Sequence, residues 1–165
     1  MSPVSVAHMA RVRTHHVGVT VSDLDSILPF YRDVLGLDVV DRFEVSGEAF
    51  ETAVDVEGAV GRFAHLEAGG DVTNAGSVGR DGESRPDETR IELVEYEPGT
   101  PQSGADRLDQ RGAKHLGFAV DDLPAYFEAL PADVAVVSEP QTTSSGTTIV
   151  FLRDPEDNLI EILEG

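Results

Sequence analysis

The chain has 165 residues, 40% of them hydrophobic, and carries 12 Lys and Arg against 31 Asp and Glu, a net charge of −19. That length and apolar content suit one compact core, while the charge disfavours sequence-independent binding to nucleic acid or to an anionic membrane, both of which need a basic face. Cysteine is absent, which excludes disulfide scaffolds, thiolate metal sites and thiol nucleophiles.

The opening MSPVSVAHMARVRTHH has neither the apolar stretch of a secretory signal nor the length of a membrane span, so a cytoplasmic location is expected. From His16, HVGVTVSDLD alternates like a strand and then meets an Asp-Leu pair that opens a helical stretch, DLDSILPFYRDVLG. Asp23 is placed to cap that helix and Gly36 to stop it. Strands are predicted over 38–45 and 61–68, with a short helix within 47–58 between them. Residues 69–88 contain five glycines and no periodicity, which reads as a surface loop. RIELVE, from Arg90, closes the first half, and 98–113 reads as a linker. The second half repeats the scheme with HLGFAVDDLP, the helix DLPAYFEAL, strands over 134–140 and 147–152, the turn DPEDN at 154–158, and LIEILE.

The repeat is internal and has two constant offsets. An offset of 99 aligns His16 with His115, Gly18 with Gly117, Val21 with Val120, Asp23 with Asp122 and Leu24 with Leu123. An offset of 69 aligns Ile91 with Ile160, Glu92 with Glu161 and Glu95 with Glu164. The simplest organisation is an α+β fold of two paired βαβββ modules, 11–97 and 114–165, forming curved mixed sheets. Neither half has enough surface to bury alone. Glu92 and Glu161 each lie between two aliphatic residues, so the carboxylate faces away from its apolar neighbours. An unpaired carboxylate on a covered face is costly, and a cation removes that cost. One His and one Glu from each half would offer imidazole nitrogen and carboxylate oxygen to a divalent Zn, Ni, Co, Mn or Fe ion.

HHVGVTVSDLD with FYRDVLGL, IELVEY, KHLGFAVDDL and FLRDPEDNLIEIL, in this order across residues 12–164, resemble the vicinal oxygen chelate superfamily, which includes glyoxalase I. The resemblance implies paired βαβββ modules around one divalent metal held by His16, Glu92, His115 and Glu161. It also implies a small-molecule substrate, and a homodimer is common among its members. The His/Glu/His/Glu set is most similar to glyoxalase I, a metal-dependent lyase or isomerase working through an enediolate on a hemithioacetal-like α-hydroxycarbonyl. Glu161 is then the expected general base and Glu92 the second candidate. A methylmalonyl-CoA epimerase-like activity, an Fe(II) extradiol dioxygenase and a non-catalytic sequestering protein are the alternatives on the same scaffold.

Other residues carry weaker expectations. His15 is expected on the face opposite His16, and His65 as a strand-surface histidine. Tyr31 is expected in helix packing and Phe118 and Phe151 in the core, with a pocket lining as the other option. Arg32, Arg42, Arg62 and Arg153 are possible anion contacts, though surface arginines are usually solvated. The turn Asp154-Pro155-Glu156-Asp157-Asn158 has Asp where the family usually has Gly, and Asp tolerates the left-handed backbone needed there. Lys114 is the one lysine among twelve basic residues, a carboxylate-rich, lysine-poor composition expected of a halophilic, salt-rich cytoplasm.

Overall fold

The computed structural model describes residues 14–68, 89–101 and 107–165. The anticipated loop 69–88, the first 13 residues and part of the linker lie outside the described residues. The elements in order are β1 (His16–Val21), α1 (Leu24–Pro29), β2 (Leu37–Ser46), α2 (Glu48–Val54), β3 (Val60–Ala68), β4 (Arg90–Glu97), β5 (His115–Ala119), α3 (Leu123–Glu128), β6 (Ala135–Val136), β7 (Gln141–Thr142), β8 (Thr148–Arg153) and β9 (Leu159–Glu164). Each half of the chain makes its own sheet, in the order β1-β4-β3-β2 and β5-β9-β8-β6, with β7 paired to β8. β1 runs parallel to β4 and β5 parallel to β9, while the remaining pairs are antiparallel. The α+β fold with two curved mixed sheets expected from the repeat is thus present. No helix among the described residues is long and apolar enough to cross a membrane.

Alternation decides which face each strand buries. Ile91 and Leu93 on β4, and Ile160 and Ile162 on β9, enter one core shared by both halves, together with Leu24, Ile27, Leu28 and Tyr31. Glu92 and Glu161, one residue out of phase, point to the other face. The two helices that follow the His-bearing strands, α1 and α3, are short and strongly capped. Asp23 Oδ1 accepts from Ser26 N–H at 3.0 Å and Asp122 Oδ1 from Ala125 N–H at 2.8 Å. Each cap is doubled by the strand glutamate of the repeat: Glu95 accepts from Leu24 N–H at 2.8 Å and Glu164 from Leu123 N–H at 2.6 Å. After Pro29, which has no N–H to give, the first helix widens into a π turn over Phe30–Val34, and Gly36 ends it at φ +71°.

Polar contacts tie the halves together beyond the shared core. The fully buried Tyr31 donates its hydroxyl to Asp154 Oδ2 at 2.9 Å. Asp154 also accepts from the N–H groups of Glu156 and Asn158 and from the Asn158 amide. Glu156 reaches into the first half, where Ser22 N–H (2.8 Å), Ser22 Oγ (2.9 Å) and Asp23 N–H (3.3 Å) donate to it. Asp157 takes the left-handed backbone, φ +65°, as its place in the turn requires.

The strand expected over 134–140 shrinks to Ala135–Val136. Its valines do not alternate with polar residues, it lies at a sheet edge, and Val136 and Val137 are exposed, so the pairing extends only by the Val137 N–H to Phe151 carbonyl bond of 2.8 Å. β7, two residues long, leaves no pattern that a sequence could show.

Candidate metal centre

The register of each parallel pair builds the same small device twice. Gly18 lies opposite Glu92 and Gly117 opposite Glu161. A Cβ placed at Gly18 or Gly117 would sit 3.9 or 3.8 Å from the facing carboxylate oxygen, so any side chain there would pack directly against the carboxylate. Two residues before each glycine stands the histidine. His16 Nε2 lies 3.5 Å from Glu92 Oε1, and His115 Nε2 lies 3.3 Å from Glu161 Oε2. The imidazoles remain partly open to solvent while the carboxylates are mostly covered.

Each pair offers one nitrogen and one oxygen donor, a set that fits a borderline divalent cation. At its other ring nitrogen His16 meets a second imidazole. Its Nδ1 lies 2.8 Å from His15 Nδ1. The expectation that His15 turns to the opposite face is therefore corrected: His15 precedes the first strand residue, so strand alternation does not govern it.

His65 also departs from its expected role. It is buried, 8% exposed, and its Nε2 lies 2.7 Å from Glu92 Oε2. Strand register explains this, because His65 on β3 is the direct cross-strand neighbour of Glu92. Arg90, two residues before Glu92 on the same face, places Nη1 3.1 Å from His65 Nδ1 and holds Glu67 Oε1 through Nε (3.0 Å) and Nη2 (2.7 Å). A continuous polar row, Glu67, Arg90, His65, Glu92, His16, thus crosses one face of the first sheet. Beside it lies an aromatic wall. Phe43 stacks on Phe63 (centroids 5.0 Å apart) and meets His65 edge-on, while Phe50 and Tyr96 close the far end.

In the second half the place of His65 is taken by Phe151, the cross-strand neighbour of Glu161. Its ring packs edge-on against His115 at 5.4 Å, so Phe151 belongs to the site face, whereas Phe118 packs against the core. Tyr31 is a buried structural donor, its hydroxyl pushed far above the usual range by burial and by the Asp154 carboxylate. Arg32 pairs with Asp33, Arg42 with Asp25, and Arg62 with Asp25 and Glu95, while Arg153 donates to the Asp157 carbonyl. Each of these arginines is thus engaged within the chain.

The structure therefore joins His16 to Glu92 and His115 to Glu161, on two separate sheets. Among the described residues no three His, Asp or Glu side chains converge as one metal would need. A cavity of about 680 Å³ opens where the two halves meet, lined by Thr20, Ser22, Tyr96, Thr100, Glu156 and Asn158 among others, and none of the four ligand candidates lines it.

Known proteins share the fold and part of the sequence. A 2-epi-5-epi-valiolone epimerase from Actinomyces sp is 30% identical over 140 residues, covering 82% of this chain and 67% of that protein. A glyoxalase family protein from Bacillus cereus superposes with a TM-score of 0.71 at 21% identity, covering 97% of this chain and 98% of that one. The trypanothione-dependent glyoxalase I of Leishmania major gives 0.57 at 22% identity, covering 93% and 87%. At these identities the two structures speak for the fold alone. The profile of one family matches residues 13–162, and the chain belongs to the Glyoxalase/Bleomycin resistance protein/Dioxygenase superfamily.

Proposed function

We propose that this protein is a metal-dependent isomerase that moves a proton at the carbon beside a carbonyl, on an α-hydroxycarbonyl substrate and through an enediolate. The observation that carries the reading is the twice-built His–Glu pair, each glutamate facing a glycine across its parallel strand pair. His16, Glu92, His115 and Glu161 would hold a divalent ion, the usual companion of this superfamily. When bound, that ion supplies Lewis-acid stabilisation of the negative charge that develops on the substrate oxygens. Glu161 takes the proton from carbon and gives it back. His16 and His115 orient the centre, and the Phe43–Phe63–Phe50–Tyr96 wall keeps water from the carbanionic carbon.

Where the proton returns separates two outcomes. Return to the same carbon from the other face is epimerisation, the reaction named for the Actinomyces relative. Return to the neighbouring carbon is the glyoxalase I-like isomerisation suggested by the His/Glu/His/Glu set. The relative favours epimerisation.

We further propose that the four ligands meet across a homodimer, the first half of one copy facing the second half of its partner. Two features support this arrangement: a single chain leaves its two pairs apart, and β1 and β5, which carry the histidines, are edge strands of their sheets.

The test is metal analysis of protein purified in high salt without chelators, followed by incubation with α-hydroxycarbonyl compounds in D2O and NMR. Wild-type protein is expected to hold Zn, Ni, Co or Mn and to place deuterium at the carbon beside the carbonyl. Glu161→Gln is expected to keep folding and to lose about 10²–10⁴-fold in exchange rate. Full exchange in Glu161→Gln overturns the assignment of the base. Protein that neither holds nor takes up metal overturns the enzyme reading in favour of a sequestering protein, and iron with oxygen consumption moves it to a dioxygenase.

A further inference from the structure

The two halves of the site share their His–Glu pairs but differ at the cross-strand neighbour of the glutamate, His65 in the first half and Phe151 in the second. A guanidinium has donors and no acceptor. Arg90 Nη1, 3.1 Å from His65 Nδ1, can only donate to it, so Nδ1 is the unprotonated nitrogen and the ring proton sits on Nε2. Nε2–H then donates to Glu92 Oε2 at 2.7 Å. Arg90 is itself held on its other side by Glu67 and is 8% exposed, so its guanidinium is fixed in place. With Oε2 engaged, the oxygen of Glu92 left to face His16 is Oε1. No such row stands behind Glu161: its cross-strand neighbour is the Phe151 ring, which has nothing to donate, and among the described residues its side chain's polar contact is His115 alone.

We propose that His65, clamped by Arg90, is a positioning residue that fixes the direction of Glu92 and leaves Glu161 as the carboxylate free to move. This inference rests on the metal-site reading given above. It supplies a physical reason for assigning proton transfer to Glu161: a base must swing between carbon and its resting place, and the carboxylate without a second anchor loses least in doing so. His65 acts through Glu92 and has no ligand role of its own, because its Nε2 carries the proton and its Nδ1 faces Arg90.

Full-length protein, His65→Phe and His65→Gln are to be compared with Co2+ as the probe, by calorimetry and by the visible spectrum of the bound ion. Loss of a partner that orients a ligand costs about 10–100-fold in metal affinity. His65→Phe, which copies the second half, is expected to lose that much while its circular dichroism stays native, and to alter the Co2+ spectrum. His65→Gln, whose amide can accept from Arg90 and donate to Glu92, is expected to recover most of the affinity. A role in packing alone predicts the reverse order, with the apolar ring tolerated and the amide penalised. Affinity of His65→Phe within about two-fold of wild type, or no rescue by His65→Gln, overturns the proposal. In the metal-free protein, long-range 1H–15N spectra are expected to show the Nε2–H form of His65 and to lose that selection in Arg90→Met. The Nδ1–H form overturns the proposal even without metal. Wild-type protein that binds no Co2+ while showing the Nε2–H form overturns the metal-site reading instead.

Discussion

Gly61 lies on the site face of β3, in line with Phe63 and His65. A Cβ there would come 2.6 Å from the Phe63 ring and 2.9 Å from that of Phe50, closer than real contacts allow. Both rings are held, Phe63 by its stack on Phe43 and Phe50 by its stack on Tyr96, so neither can swing away freely. Gly61→Ala is expected to lower stability by about 1–3 kcal/mol in denaturant unfolding, the usual cost of overpacking. An unchanged midpoint would show that the aromatic wall is loose. Individual residues of this site were unevenly legible in the sequence. His16, Glu92, His115 and Glu161 stand out because the chain states each of them twice. His65 and Arg90 have no counterpart in the second half, and their roles depend on the pairing of β3 with β4 across 27 residues, which local pattern does not encode. The only hint was alternation, which puts position 65 in phase with Phe63.

Short helices need their ends secured, and both six-residue helices that follow the His-bearing strands use two carboxylates for it. One comes from the N-cap aspartate and one from the last strand of the same half. Together they meet the orphan N–H groups and the positive end of the helix dipole. The Ser26 N–H and hydroxyl hold the Asp23 carboxylate below the usual carboxylate range. A depressed folded value means that this contribution is fully present above the unfolded carboxylate's range and is lost as pH falls through the lower, folded value. Stability measured from about pH 6 down to about pH 2 is therefore expected to fall less steeply in Asp23→Ala than in wild type. Parallel curves would remove Asp23 from the acid response. At this scale the sequence was most informative where strands alternate and helices are capped, as at Asp23, Asp122 and Gly36. It misled at 134–140, because apolar valines at a sheet edge resemble a buried strand until the neighbouring strand is known.

For the molecule as a whole, the question is how two half-sites become one. Mixing Glu92→Ala with Glu161→Ala copies gives a direct answer. If the centre forms between copies, random dimers restore about a quarter of the wild-type centres, since half the dimers are mixed and each mixed dimer has one intact centre. If each chain completes its own centre, mixing restores nothing. Two copies of charge −19 repel, and screening shortens that repulsion from about 8 Å at physiological salt to about 3 Å at 1 M, so the mixing belongs in high salt. The first half places Glu92 76 residues after His16, while the second places Glu161 46 residues after His115 (92 − 16 and 161 − 115), yet both sheets keep equivalent registers. Much of the surplus falls between β3 and β4, whose pairing runs to Leu66 and Ile91 and ends at the Glu67–Arg90 ion pair. The two chain ends at that junction are therefore neighbours whatever joins them. Closing a connection between fixed neighbours costs only about 0.6 kcal/mol more for each doubling of its length. The junction is thus a graft point, where a reporter peptide or an evolutionary insertion can be spliced in one residue beyond the polar row without rebuilding either sheet.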